Sequence, residues 1–145
     1  MILYLDTSSL VKLYLEEEHS ESVRYWTNTA NVIATSCVAY PEAMAAFARR
    51  YRENDIDKKG FQKICKTVKR EWPDYAVVEI DEISAGELAI KHGLRGFDAI
   101  HLEAAMATLA GAKDVLVAFS SFDNRLNAAA ASEGFQIFNA DTPSE

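Results

Sequence analysis

Ile2 to Leu5 is an unbroken apolar run with no polar alternation. That pattern predicts a strand buried on both faces, as in the middle of a parallel sheet. The polar and apolar positions that follow predict alternating helices and strands. Ser8 or Ser9 can cap a helix from Leu10 to about Glu17, with Leu10, Leu13 and Tyr14 on one face. Glu16, Glu17 and Glu18 then form a solvated corner. A second helix spans about Ser20 to Thr29 and turns Val23 and Trp26 inward, before a strand from Val32 to Thr35. After a turn from Ser36 to Tyr40, Pro41 suits the first helical position of a helix running to about Glu53. Lys58 to Trp72 is the next helix, stopped by Pro73, and Tyr75 to Ile80 a third strand. Asp81 or Ser84 opens a short helix that ends at His92 and Gly93. Phe97 to Leu109 is apolar almost all round, which predicts a buried helix closed by Gly111. A strand over Val115 to Phe119, an alanine-rich helix over Asp123 to Ser132 and a last strand over Phe135 to Phe138 complete one domain, residues 1–138. Residues 139–145 read as a frayed tail.

Strands alternating with helices predict an α/β fold with a mainly parallel sheet. Right-handed crossovers put the carboxyl ends of the strands on one edge, where open sheets bind ligands. Four acids reach that edge. Asp6 ends the first strand, Glu42 sits in the first turn of the helix after the second, and Asp123 follows the fourth strand by a tight turn. The helix that carries Asp98 leads through Gly111 into strand four, so its start lies at the same edge. Singly, each acid has a plain explanation as a helix cap or a first-turn acid favoured by about 0.3–1 kcal/mol. Gathered, they would repel one another and raise one another's pKa without a cation. No lysine or arginine adjoins Asp6 or Glu42. Carboxylates without histidine or cysteine ligands suit Mg²⁺ or Mn²⁺. Such ions activate water and stabilise the leaving oxygen in phosphodiester cleavage. Thr7, Ser8 and Ser121 are placed to orient carboxylates or water. His101, one turn after Asp98, can orient Asp98 or hold substrate, although a satisfied buried histidine is the simpler expectation.

Charge sharpens this picture. The 145 residues carry a net charge of −7, which alone argues against a nucleic-acid partner. Residues 49–70, however, hold nine basic side chains against three acidic ones, so this segment is +6 and the remainder −13. A basic patch beside an acidic edge suits a polyanion cut by metal ions, while a solvated helix face is the commoner meaning of a charge run. Arg49, Arg50 and Arg52 are the candidates for contacts to the backbone of such a polyanion. Cys37 and Cys65 have no metal-ligand spacing and make no disulfide framework. With no secretory signal and no membrane-length run, a reduced cytoplasmic protein is expected. There is no Gly-rich phosphate loop and no Gly-x-Ser-x-Gly elbow.

The motifs resemble those of PIN-domain ribonucleases, specifically VapC-type toxins of toxin–antitoxin pairs. Leu5-Asp6-Thr7-Ser8-Ser9-Leu10-Val11-Lys12-Leu13-Tyr14 is similar to the first motif and Ser36-Cys37-Val38-Ala39-Tyr40-Pro41-Glu42 to the second. Leu94-Arg95-Gly96-Phe97-Asp98-Ala99-Ile100-His101-Leu102 resembles the third, and Ser121-Phe122-Asp123-Asn124-Arg125-Leu126 the fourth, with Ser121 where threonine is common. All four occur in order across nearly the whole chain. The resemblance implies a three-layer α/β/α sandwich and Mg²⁺- or Mn²⁺-dependent cleavage of RNA. It implies Asp6 and Asp98 as principal metal ligands, with Glu42 and Asp123 completing the site or orienting water. It also implies a homodimer and a cognate antitoxin that blocks the site. No acidic position is lost, so an active enzyme is expected.

Two other functions compete. One is a non-catalytic module of the same fold that docks a basic partner segment on its acidic edge. The other is a receiver-like phosphoryl acceptor, which would need an acidic pair near the first strand and a late lysine. This chain has Thr7-Ser8 after strand one and no lysine after strand four.

Overall fold

The computed structural model describes residues 1–144. The last residue of the expected tail, Glu145, lies outside the described residues. Strand β1 (Ile2–Leu5) is central in a five-stranded sheet of order β3-β2-β1-β4-β5, and every neighbouring pair is parallel. Strands β2 (Val32–Ser36) and β4 (Val117–Ser120) flank it, with β3 (Ala76–Val78) and β5 (Gln136–Phe138) at the edges. Both faces of β1 are covered. Leu3 and Leu5 pack with Leu10, Val23, Trp26, Ala43, Phe47 and Val68 on one side. Tyr4 packs with Phe119, Leu102, Ala105 and Leu126 on the other. The rings of Tyr4 and Phe119 stack with centroids 5.5 Å apart. Each such side chain fully buried contributes about 1.5–3 kcal/mol.

Helices α1 (Thr7–Lys12), α2 (Ser20–Thr29), α3 (Ala39–Arg52) and α4 (Lys58–Glu71) form one outer layer. Helices α5 (Glu82–His92), α6 (Gly96–Gly111) and α7 (Asn124–Ser132) form the other, giving three α/β/α layers. The chain adds strands outward from β1 to β3, then crosses back to lay β4 on the opposite side of β1. That reversal opens a crevice beyond the carboxyl ends of β1 and β4.

Several expected boundaries shift for identifiable reasons. Helix α1 begins at Thr7 rather than Leu10, because the Asp6 carboxylate accepts the Ser9 N–H at 3.0 Å and serves as its cap. Helix α3 begins at Ala39, so Pro41 is its third residue. The first-turn N–H groups have no intrahelical acceptor, so proline costs nothing there. Strand β3 keeps only three residues, and Glu79 and Ile80 are exposed. Helix α6 is buried only over its first part: Ala99 and His101 to Ala105 are buried, while Ala107 and Leu109 to Gly111 emerge. The expected solvated corner is partly structural, since Glu17 bonds Lys12 and Arg50, each at 2.9 Å. The tail is folded back. Thr142 and Asn139 close a turn, and the Trp26 indole N–H donates to the Pro143 carbonyl at 3.0 Å.

Candidate active site

The end of β1 delivers Asp6 to the crevice, and its backbone N–H bonds the Ser120 carbonyl at the end of β4. The carboxylate is only 4% exposed. Its Oδ1 accepts from the Ser8 hydroxyl at 2.7 Å and from the Ser9 N–H at 3.0 Å. The Ser8 hydroxyl in turn accepts the Phe122 N–H at 3.1 Å, which ties α1 to the turn after β4. Burial pushes the Asp6 pKa upward. The neighbouring His101 ring and the hydroxyls of Ser121 and Ser8 only partly oppose that.

Glu42, in the first turn of α3, is held from two sides. The Thr7 hydroxyl donates to its Oε1 at 2.5 Å, and His101 Nε2 lies 3.0 Å from the same atom. His101 Nε2 is also 2.9 Å from the Thr7 hydroxyl, and Nδ1 is 2.8 Å from the Tyr4 hydroxyl. One tautomer satisfies every partner. Tyr4 donates to Nδ1, Nε2–H is shared by Thr7 and Glu42, and Thr7 donates its own proton to Glu42. Burial keeps Tyr4 protonated by raising its pKa far above the ordinary value. Burial alone would also raise the Glu42 carboxyl, but hydrogen bonds from His101 and Thr7 outweigh it and hold the pKa below the usual glutamate value. His101 is therefore a satisfied buried histidine whose partner is Glu42, not Asp98.

Asp98 and Asp123 meet on a third group, Arg95. The Arg95 Nε donates to Asp98 Oδ2 at 3.0 Å, and its terminal nitrogen donates to Asp123 Oδ2 at 3.3 Å. Asp123 caps α7 by accepting the Leu126 N–H on Oδ1 at 2.9 Å, and its own N–H bonds the Ser121 hydroxyl. Glu42, Arg95, Gly96, Phe97, Asp98 and Ile100 line a cavity of about 440 Å³.

All four acids stand at the carboxyl edge, divided into an Asp6–Glu42 half braced by Ser8, Thr7 and His101, and an Asp98–Asp123 half braced by Arg95. The donors are carboxylate oxygens, the kind a hard divalent cation takes. Asp6, buried without a lysine or arginine partner, has the uncompensated charge such an ion would relieve. In the arrangement seen, no three His, Cys, Asp or Glu side chains among the described residues are grouped closely enough to hold an ion. Thr7, Ser8 and Ser121 all touch the acid edge. Of the expected RNA contacts, Arg49 and Arg52 are exposed, while Arg50 is engaged by Glu17 at 2.9 Å and Asp55 at 3.2 Å. Tyr4 and Arg95 escaped the sequence reading. A tyrosine in a buried strand needs a partner for its hydroxyl, and Arg95 stands three residues before Asp98, the spacing of a helical ion pair.

A family model described as "PIN domain" matches residues 3–132. Two curated relatives from Mycobacterium tuberculosis strains, Ribonuclease VapC45 and Ribonuclease VapC49, are each 32% identical over 143 residues, covering 94% of this chain and 94% of theirs. Among solved structures, PAE2754 from Pyrobaculum aerophilum superposes with a TM-score of 0.70 at 17% identity, covering 97% of this chain and 85% of that one. VapC20 of Mycobacterium tuberculosis, described as a Sarcin-Ricin loop cleaving toxin, gives 0.63 at 18% identity, covering 92% and 95%. VapBC2 from Rickettsia felis, bound to a fragment of its promoter DNA, gives 0.63 at 13% identity, covering 97% and 100%.

Proposed function

The chain belongs to the PIN domain family, in its VapC group, and from that premise we propose that it is a divalent-metal-dependent endoribonuclease and the toxin of a VapBC-type toxin–antitoxin pair. Mg²⁺ or Mn²⁺ is the cofactor of this reading, a cognate antitoxin and a second copy of the chain are its protein partners, and the cytoplasm is its location. The observation that carries it is the meeting of Asp98 and Asp123 at the edge where Asp6 ends β1.

Asp6 and Asp98 would hold the metal, with Glu42 and Asp123 completing the site. When bound, such an ion lowers the pKa of a water and steadies the charge on the departing oxygen. The protein's own groups do the rest. Glu42 stays ionised because His101 and Thr7 hydrogen-bond its carboxylate, so it can accept a proton from an attacking water. Ser8 and the Ser9 N–H hold the Asp6 carboxylate in place through Oδ1. Tyr4 holds the His101 tautomer that keeps Glu42 in place. The cavity beside Asp98 has the exposed ring of Phe97 at its wall, a surface for a nucleobase.

Cleavage of a labelled RNA by the purified chain tests this. Chelation with EDTA should abolish cleavage, and Mg²⁺ or Mn²⁺ should restore it. Losing a partner of a metal ligand typically costs about 10–100-fold, so Asp6→Asn or Asp98→Asn should cost more than about 100-fold while the fold persists. Wild-type rates in either variant would remove that residue from the site. A chain inert on RNA with both ions would overturn the reading.

A further inference from the structure

Asp123 has two carboxylate oxygens, and both are occupied. Oδ1 caps α7 through the Leu126 N–H, and Oδ2 is held by the Arg95 guanidinium, which also holds Asp98 Oδ2. The oxygen of Asp123 that takes no part in the helix cap is the one Arg95 holds, so a cation approaching along that lone pair of Oδ2 meets the guanidinium. Mg²⁺ demands oxygens at about 2.0–2.1 Å, which leaves no room for a guanidinium at hydrogen-bond distance along the same lone pair. Arg95 itself is weakly fixed. Its side chain is 76% exposed, it makes no cap hydrogen bond to α6, and its two ion pairs are both with these acids.

We propose that Arg95 is an exchangeable counter-ion that pairs Asp98 with Asp123 before metal arrives, yields both Oδ2 atoms to a divalent cation, and then turns to a phosphate of the RNA. The first step follows from charge. Two acids at one edge need a cation to stand together, and a single exposed guanidinium binds them less strongly than a divalent ion. The second follows from position, since Arg95 lines the same cavity as Glu42 and Asp98, where a phosphodiester meeting the acids must lie. Arginine matches a phosphate as readily as a carboxylate. This rests on the reading of the edge as a divalent-cation site.

Calorimetric titration of the full chain with Mn²⁺, without RNA, tests the first step. Arg95→Ala removes the competitor and should tighten Mn²⁺ binding about three- to fivefold, the scale of one exposed ion pair. Arg95→Lys, which keeps the charge but not the fork, should fall between the two. Equal or weaker Mn²⁺ binding by Arg95→Ala would overturn the proposal, as would absence of binding in all three proteins. At saturating Mn²⁺, Arg95→Ala should raise KM for RNA several-fold with a smaller change in kcat. An unchanged KM would overturn the phosphate step. A wild type that binds Mn²⁺ but cuts no RNA defeats the ribonuclease reading alone, and the affinity comparison still decides the role of Arg95.

Discussion

Asp6 is costly to the fold and central to the proposed chemistry, and those two facts can be measured separately. Burial raises its pKa above the value it has in the unfolded chain. The folded state therefore binds the proton more tightly, and stability from this group falls as pH rises through the folded pKa. Below the ordinary carboxylate range the group is neutral in both states and the cost vanishes. Asp6→Asn keeps an oxygen to accept the Ser9 N–H but carries no charge. In metal-free buffer it should melt a few degrees above wild type at neutral pH, with the gap closing on acidification toward the unfolded pKa. Equal melting temperatures across that range would show that the Asp6 charge is compensated by groups other than those seen. Asp6, Glu42 and Asp123 were legible because connectivity alone carries them to one edge, while Asp98 needed the further step that strand four is parallel, as it is. Their braces were not. Thr7 meets Glu42 across 35 positions and Tyr4 meets His101 across 97, and periodicity is blind to pairings of that span.

At the scale of elements, the segment from α5 to α6 sets where Asp98 stands. Helix α5 ends in Gly93 with φ +64°, and the next residue, Leu94, is buried. The left-handed turn sends Leu94 into the core and brings Arg95 out at the start of α6. A side chain at Gly93 meets nothing within 4 Å, so only backbone strain opposes it. Gly93→Ala should lower stability by about 1–2 kcal/mol in urea unfolding, the cost of a Cβ in this conformation. A loss below a few tenths would mean the turn has rearranged. The sequence announced this stop, because glycine after a helix is a local signal. Local periodicity and such stops announced the order and kind of every α-helix and strand, but not the 3-10 turn at Trp72–Asp74. Boundaries slipped where one of several possible caps won or where the packing surface ran out. Asp6 advanced α1 by caging the Ser9 N–H, and α6, apolar all round, runs out of core to pack against before its last turns.

The charge of the whole molecule is divided between an acidic edge and a basic arm. Helix α3 ends in Arg49, Arg50 and Arg52, and α4 carries Lys58, Lys59, Lys63, Lys66, Lys69 and Arg70. The three arginines looked equivalent in sequence and are not equivalent in the fold. Arg50 is half-buried between Glu17 and Asp55 and helps to join α1's trailing turn to α3. Arg49 and Arg50 both line a cavity that also contains Thr7, Ser8 and Lys12, and of the two only Arg49 is exposed there, between the acid edge and the arm. Arg52 is exposed one turn further on. An RNA strand leaving the acids toward α4 would meet Arg49 first and Arg52 next. Each phosphate contact to single-stranded RNA contributes about −0.7 to the slope of log affinity against log salt. Removing Arg49 and Arg52 together should therefore flatten that slope by about 1.4, with weaker binding at low salt and little change in melting temperature. Arg50→Ala should do the reverse, lowering the melting temperature with a near-normal salt slope, because its charge is already spent on two carboxylates. Fluorescence anisotropy of a short RNA in EDTA, at several salt concentrations, separates the two outcomes without cleavage. A double variant with the wild-type slope would mean that RNA approaches the acid edge by a path that avoids α3, leaving the basic arm as a solvated helix face.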